Sequence, residues 1–353
     1  MTGALRTGAL AMVCAAAVVS VSCGDAPQSG SAASAVPQST SPDGLFSGPQ
    51  PWNADVSGAP TSDRSDAIVA ALSSMGGWGG DNVLQIDFSI PVFVAGADMP
   101  RIPVVGTDDY CWGGPACDGV PAEVPVPPGA NIEGSTDLTC DASGDTEGQG
   151  DCLLLVADRD GRKLYEMYQA TANDESLSTQ GLFVWDLDKQ YPPNLRGDQC
   201  TSADAAGFPI AALLPTADEV ASGAVNHALR FILPNDRMKA SVYVRPATHA
   251  GGPESADPDA PPYGVRFRLK SDLDESGYSE GEKVILTALK TYGMLLSDGG
   301  QIPLTFADDR TSAAKWADLE IDAQSFGAIP VDEFEVVDLG PDIALTYDCV
   351  RNP

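Results

Sequence analysis

Apolar and polar side chains alternate in short runs at 83–90, 97–105, 152–157, 163–170, 181–186, 226–233, 240–244 and 265–270, each closed by Pro, Gly, Asp or Asn. A period of two sends successive side chains to opposite faces, so each run reads as a strand with one face on a core. Strands this short, with turn residues between them, predict a mainly β fold, an antiparallel β-sandwich of jelly-roll type. Two stretches change period. Residues 62–74 place Ala67, Ile68, Ala71 and Leu72 at helical spacing behind a Ser or Asp cap. At 279–296, Ser279 stands three residues before Glu282, and Val284, Ile285, Ala288, Leu289, Tyr292 and Met294-Leu295-Leu296 follow at mostly helical spacing. That capping box predicts one helix packed on the sheet. A weaker helical pattern covers 311–319, and 202–206 reads as a single turn.

The start of the chain changes the address. A basic start with Arg6, an apolar run over 7–21 and small residues ahead of Cys23 read as a lipoprotein signal peptide over 1–22. The ending resembles a bacterial lipoprotein processing site, with Cys23 as the lipidated first residue and Ser20 standing where the usual pattern has Leu or Val. Plain secretion with Cys23 unmodified is the alternative. Residues 23–50 are a Ser/Pro/Ala-rich tether with too few apolar side chains to offset the entropy of ordering. Residues 51–353 read as a single β-rich domain, extracytoplasmic and held to the membrane by lipid.

Six of the eight cysteines remain in that domain, an even set that reads as disulfides in an exported chain. Fifteen pairings are possible; proximity along the chain suggests Cys111–Cys117, Cys140–Cys152 and Cys200–Cys349. The 50 acidic residues against 20 basic give a net charge of −30, which repels phosphate backbones and argues against nucleic acid as a partner. Such acidity serves solubility outside the cell, or divalent-cation binding.

Two constellations carry candidate chemistry. The chain has two histidines, His227 and His249, flanking the turn-like Pro234-Asn-Asp-Arg-Met-Lys239. A hairpin pairing residue i with 476 − i would set both imidazoles on one face, about 5 Å apart at Cβ. Two ordinary hydrogen-bonded histidines at strand ends are the plainer reading. The second constellation is a set of carboxylates, Asp158 and Glu166 with Asp186. Glycoside hydrolysis needs two such groups, about 5–9.5 Å apart; period two puts Glu166 on one face with Leu164 and Tyr168, where partial desolvation would raise its pKa toward that of an acid catalyst. Asp272-Leu-Asp-Glu-Ser-Gly277 begins like a calcium loop but has Lys283 at its twelfth position, and a turn leading into the helix cap explains the same residues. No cysteine spacing for structural zinc is present, and no serine-hydrolase elbow, zincin or phosphate-loop motif.

The blocks Cys200-Thr-Ser-Ala-Asp-Ala-Ala-Gly-Phe-Pro-Ile210, Asp218-Glu-Val220, Asn226-His-Ala-Leu-Arg-Phe231, Arg245-Pro-Ala-Thr-His249, Tyr263-Gly-Val-Arg-Phe-Arg-Leu-Lys270, Ala288-Leu-Lys-Thr-Tyr-Gly-Met294 and Ser297-Asp-Gly-Gly300 occur in that order. The series resembles a large group of secreted bacterial and fungal proteins, many with signal peptides or lipid anchors, that has no established activity. It covers about 151–334; members usually carry Asn-Gly-Ser where Gly299-Gly300 stand here. The resemblance implies a set of positions rather than a reaction: His227, His249, Asp204, Arg230, Arg266 and Asp298 as substrate-binding residues beside the catalytic candidates Glu166, Asp158 and Asp186. The expectation is an envelope protein acting on polysaccharide, a glycoside hydrolase or else a non-catalytic glycan- or protein-binding lipoprotein, without a required cofactor beyond a possible divalent cation.

Overall fold

The alternating runs form strands, and the computed structural model describes residues 44–107, 111, 114–119, 122–140, 151–173, 175–337 and 339–353. Cys23, the signal segment and most of the tether lie outside the described residues. In chain order the strands are β1 (Ile86–Ile90), β2 (Val92–Ala95), β3 (Arg101–Gly106), β4 (Ala122–Pro125), β5 (Leu154–Asp158) and β6 (Lys163–Tyr168). β7 (Thr171–Ala172), β8 (Leu177–Thr179), β9 (Gly181–Asp186), β10 (Gly197–Asp198), β11 (Leu229–Leu233) and β12 (Val242–Tyr243) follow. The last six are β13 (Arg266–Leu269), β14 (Met294–Gly299), β15 (Leu304–Ala307), β16 (Phe334–Val337), β17 (Ile343–Ala344) and β18 (Val350–Arg351). Three α-helices join them: α1 (Ser65–Ser74), α2 (Ala217–Ser222) and α3 (Glu280–Thr291).

A six-stranded sheet has the order β1-β15-β11-β14-β13-β16. Two four-stranded sheets, β2-β5-β6-β9 and β4-β3-β8-β7, lie beside it and share one apolar core, in which Phe93, Leu154, Val156 and Met167 meet Val104, Val124 and Leu177. Every residue of β5 is buried, because its other face also packs, with Leu153, Leu155 and Phe183, toward Ile210 and Leu214. All described residues belong to one compact unit.

The chain is mainly β, but its sheets are mixed, which corrects the purely antiparallel expectation. β1–β15, β11–β14, β2–β5 and β3–β8 are parallel pairs. Side-chain alternation has the same period in either direction, so the pattern carries no information on strand polarity. α3 forms as expected, with the Ser279 hydroxyl accepting from Glu282 N–H and the Glu282 carboxylate accepting from Ser279 N–H. It stops at Thr291, earlier than the apolar pattern suggests. Gly293 adopts φ +70°, and a Cβ there would lie 2.5 Å from the Phe267 carbonyl, so the chain turns and Met294-Leu295-Leu296 begin β14 instead. The pattern at 311–319 yields only a 3₁₀ turn at Trp316–Leu319. Residues 272–277 form a turn in which Asp274 accepts from Ser276 N–H.

The three disulfides Cys111–Cys117, Cys140–Cys152 and Cys200–Cys349 are present, as chain proximity suggests. They fit an oxidising compartment outside the cytoplasm. No helix among the described residues is long and apolar enough to cross a membrane.

Candidate active site

Parallel strands β11 and β14 end side by side, with Ile232 opposite Asp298 and Leu233 opposite Gly299. Segments that follow parallel strands leave a sheet at the same edge, and the gap between them is where ligands are commonly held. A cleft of about 590 Å³ opens there. Asn235 and Asp236 line it after β11, Asp298 and Gly299 at the end of β14 and Gly300 and Gln301 just beyond, with Glu254 and Tyr263 from the segment between β12 and β13, and Asp151 from ahead of β5. At its floor the Asn235 amide fills the space that a side chain at position 299 would need, since a Cβ on Gly299 would stand 2.2 Å from Asn235 Oδ1.

Arg230 organises the buried side of this cleft. Its Nε donates to Asp204 Oδ2 at 2.9 Å, one Nη to Thr305 Oγ1 at 3.0 Å and the other to Asp298 Oδ2 at 3.0 Å. Asp298 also accepts from Gly299 N–H at 2.8 Å and Ala205 N–H at 3.4 Å, so four donors counting Arg230 and Asp204's own partner Ala206 N–H fix the two carboxyls. Burial disfavours charge on both acids while the shared guanidinium favours it; burial prevails, and both hold a proton to higher pH than an exposed carboxylate. Asp151 lies beside them. Burial and the nearby charge of Asp298 push it up to about 6. Beneath it, Glu133 accepts from Asp151 N–H at 2.8 Å and is pushed up to about 8, first by burial and then by Asp151 and Asp87.

His249 joins the same region through the Ala205 peptide. Its Nδ1 donates to Ala205 O at 2.9 Å, while Ala205 N–H donates to Asp298. That bond fixes the tautomer with Nε2 as the lone-pair nitrogen. Burial lowers the His249 pKa, so the ring is neutral near pH 7. Asp204, Arg230, His249 and Asp298, drawn from four distant segments, thus meet at one end of the β11–β14 pair.

The expected histidine pair does not form. Both edges of β11 are occupied, by β14 and β15, and β12 pairs with β17 at the other end of the chain. The turn residues fold into a 3₁₀ turn whose Arg237 guanidinium donates to the carbonyls of Gly76, Gly77, Trp78 and Gly79. His227 precedes β11 at the end opposite Asp298, roughly 16 Å away for a five-residue strand. Its Nδ1 donates to Ala228 O and its Nε2 lies 3.6 Å from Glu219 Oε1. No group of three or more His, Cys, Asp or Glu placed to hold a metal occurs among the described residues.

The structure does not bring the three expected carboxylates onto one face. In the β5-β6-β9 register Asp158, Lys163 and Asp186 are direct neighbours, and Glu166, three positions along β6, points to the opposite face. Asp158 is buried with Arg101 at 2.5 Å and accepts from Gly161 N–H; Asp186 is half exposed beside Lys163 at 2.6 Å. Glu166 is wholly enclosed, accepting from Trp185 Nε1 at 3.0 Å and Ala211 N–H at 2.9 Å, and burial pushes it up to about 8. The expected pKa rise occurs without any opening to a substrate. Arg266 likewise serves the scaffold: its guanidinium donates to the carbonyls of Pro51, Ala54 and Tyr292 and straps the start of the domain onto β13. Asp151 and Glu133 were not among the sequence candidates. Neither has a periodicity or spacing to mark it: Glu133 is a single acid between Ile132 and Gly134, and Asp151 is the last of several acids in the Gly- and Asp-rich sequence after Cys140.

These buried acids set an unusual pH dependence. A carboxyl whose folded pKa exceeds its unfolded value binds a proton more tightly when folded, so stability is full below about pH 4.5 and is lost as pH rises through the folded value. For Glu133 and Glu166 that window runs to about pH 8, at about 1.4 kcal/mol per pH unit for each group. The thermal midpoint should fall between pH 5.5 and 8 and should do so in 0.5 M salt, which screens the −30 surface charge but not buried groups. A midpoint that is flat or rises over that range would contradict this assignment.

No family model, no curated protein and no solved structure matches the chain.

Proposed function

We propose that the chain is an exported carbohydrate-active hydrolase whose working acids are Asp151 and Asp298. The observation that carries this reading is the pair of interacting carboxyls at the wall of the cleft, one raised to about 6 and the other oriented by Arg230, Ala205 N–H and Gly299 N–H. Glycoside hydrolysis needs two carboxyl groups in different protonation states on either side of one bond. In this reading Asp151 is the acid that protonates the leaving oxygen. Asp298, whose pKa burial also raises, serves as nucleophile or as base for water in its ionised form, the form that the Arg230 guanidinium and the Ala205 and Gly299 N–H groups stabilise. Asp204 and Arg230 position Asp298, and the Ala205 peptide couples His249 to the same carboxylate.

Among the described residues the cleft wall contains no Lys or Arg, so neutral or amino-bearing glycans suit it better than acidic ones. A glycan binder would favour aromatic rings on an open face. Among the described residues the well-exposed large apolar side chains are Val94, Val105, Tyr347 and Val350, which form no such platform. Lipidation at Cys23 and kinship with the secreted group remain part of the proposal; the blocks that carry that likeness contribute Asp204, Arg230, His249 and Asp298 to the cleft region.

The purified domain, screened against neutral and deacetylated polysaccharides, should show an activity that Asp298→Asn lowers by about 10²–10⁴-fold. Because Asp151 must carry its proton, kcat/KM should decline as pH rises through about 6. Glu166→Gln should leave kcat unchanged wherever the variant is folded. Full activity in Asp298→Asn would remove the cleft from the chemistry.

A further inference from the structure

We propose that a second cavity, beside His227, binds a small uncharged amphipathic molecule: an apolar body with one neutral hydrogen-bonding group. The cavity holds about 330 Å³ and shares no residue with the acidic cleft. That volume lies within the range of small-molecule sites, roughly 300–1,000 Å³. Its apolar wall is built from Leu45, Phe46, Trp52, Val92, Val94 and Leu214, with the Phe46 and Trp52 rings edge to face at 5.1 Å. Val94 is 49% exposed, an apolar side chain left facing water where the cavity opens.

The polar wall decides the ligand's charge. Glu219 is held by the Thr216 N–H and hydroxyl in the cap of α2 and faces His227, whose other nitrogen donates to Ala228 O. Asp218 accepts from Ala313 and Ala314 N–H, and Arg159 has its own partner. Every ionised side chain in the wall is therefore already engaged. An anionic head group would have to shed its water beside Asp218 and Glu219 without gaining a free cation, which is costly, whereas a hydroxyl or carbonyl loses little. Neutral donors for it are the side-chain NH₂ groups of Asn226, whose Oδ1 takes the Tyr292 hydroxyl at 3.5 Å, and of Asn53, whose Oδ1 takes Gln50 N–H at 2.6 Å.

Calorimetric titration of the full chain with 1-octanol and with octanoate, in 0.5 M salt so that the surface field is screened, tests this. One octanol should bind per chain, and octanoate should bind at least about tenfold more weakly, a difference of about 1.4 kcal/mol. Val94→Asp, at an exposed position that does not threaten folding, and Ala211→Leu, which fills the cavity, should each weaken octanol by about tenfold or more. Asp298→Asn should leave the titration unchanged, so this inference and the proposed hydrolase fail separately. Equal or tighter octanoate binding, insensitivity to both cavity variants, no octanol binding, or octanol binding only after residues 24–43 are deleted would each overturn it; the last would assign the cavity to the chain's own N-terminal segment.

Discussion

Replacing Arg230 with Ala is expected to destabilise the protein by about 3–5 kcal/mol, the cost typical of removing one partner from a buried ionic network. The guanidinium satisfies Asp204, Asp298 and Thr305 at once, from a position only 5% exposed. Without it two interacting acids are left to share the pocket with Asp151 and Glu133 and no cation. Lys in its place should recover little, since one ammonium on a flexible stem cannot reproduce a planar fork that reaches three separate acceptors. The loss should shrink at low pH, where protonation of Asp204 and Asp298 relieves the repulsion. Denaturant unfolding of Arg230→Ala at pH 5 and pH 8, with Arg230→Met/Asp204→Asn as the variant that removes both charges together, measures this. A cost below about 1 kcal/mol at pH 8 would show that the cluster is not electrostatically closed by Arg230.

The second large effect is expected at Cys200–Cys349, which joins residues 149 apart in the sequence. Cross-linking a loop of that length restricts the unfolded chain strongly, and its removal as the double Ser variant should cost about 4–5 kcal/mol, near the top of the usual range. Cys111–Cys117, separated by six residues, should matter less. The long bridge also pins a tail that does specific work in the folded state. β18 pairs with β10, Asn352 donates to Asn194 and Leu195 O, Arg351 pairs with Asp118, and the Tyr347 ring packs edge-on against His249 at 5.5 Å. Limited proteolysis distinguishes the two contributions. Cleavage confined to 340–353 with an unchanged unfolding midpoint would mean that the tail detaches locally and that the bridge does not support the whole domain.

Legibility in the sequence followed the range of the interactions involved. α3 could be read because its signals are local: a hydroxyl and a carboxylate three residues apart, then Ile285, Ala288 and Leu289 on one face. The disulfides could be read in part because two of the three close short segments, leaving one pair for the third. Glu166 was read correctly as sharing a face with Leu164, and its raised pKa followed from that burial. Its role did not follow. A half-buried acid at the mouth of a cleft and a fully buried acid between two sheets have the same alternation around them.

The histidines show the same limit. A turn between two strand-like runs predicts a hairpin only if the first strand's edge is free, and the parallel partner that takes it, β14, lies some sixty residues downstream. The acidic cleft was legible only through the resemblance, which names Asp204, Arg230, His249 and Asp298 together; no local pattern joins them to Asp151, because these residues are far apart in sequence and meet only where β11 and β14 end side by side.

By itself the sequence determined what depends on neighbours along the chain and on composition: a β-rich domain, a capped helix, an even set of cysteines suited to an oxidising compartment, and a surface that repels polyanions. Tertiary structure alone decided strand order and direction, which acids are sealed in and which line an opening, and which histidine stands near them. Those outcomes turn on which sheet edges are filled and how much water reaches each carboxyl, and both are properties of contacts between segments that no local pattern encodes.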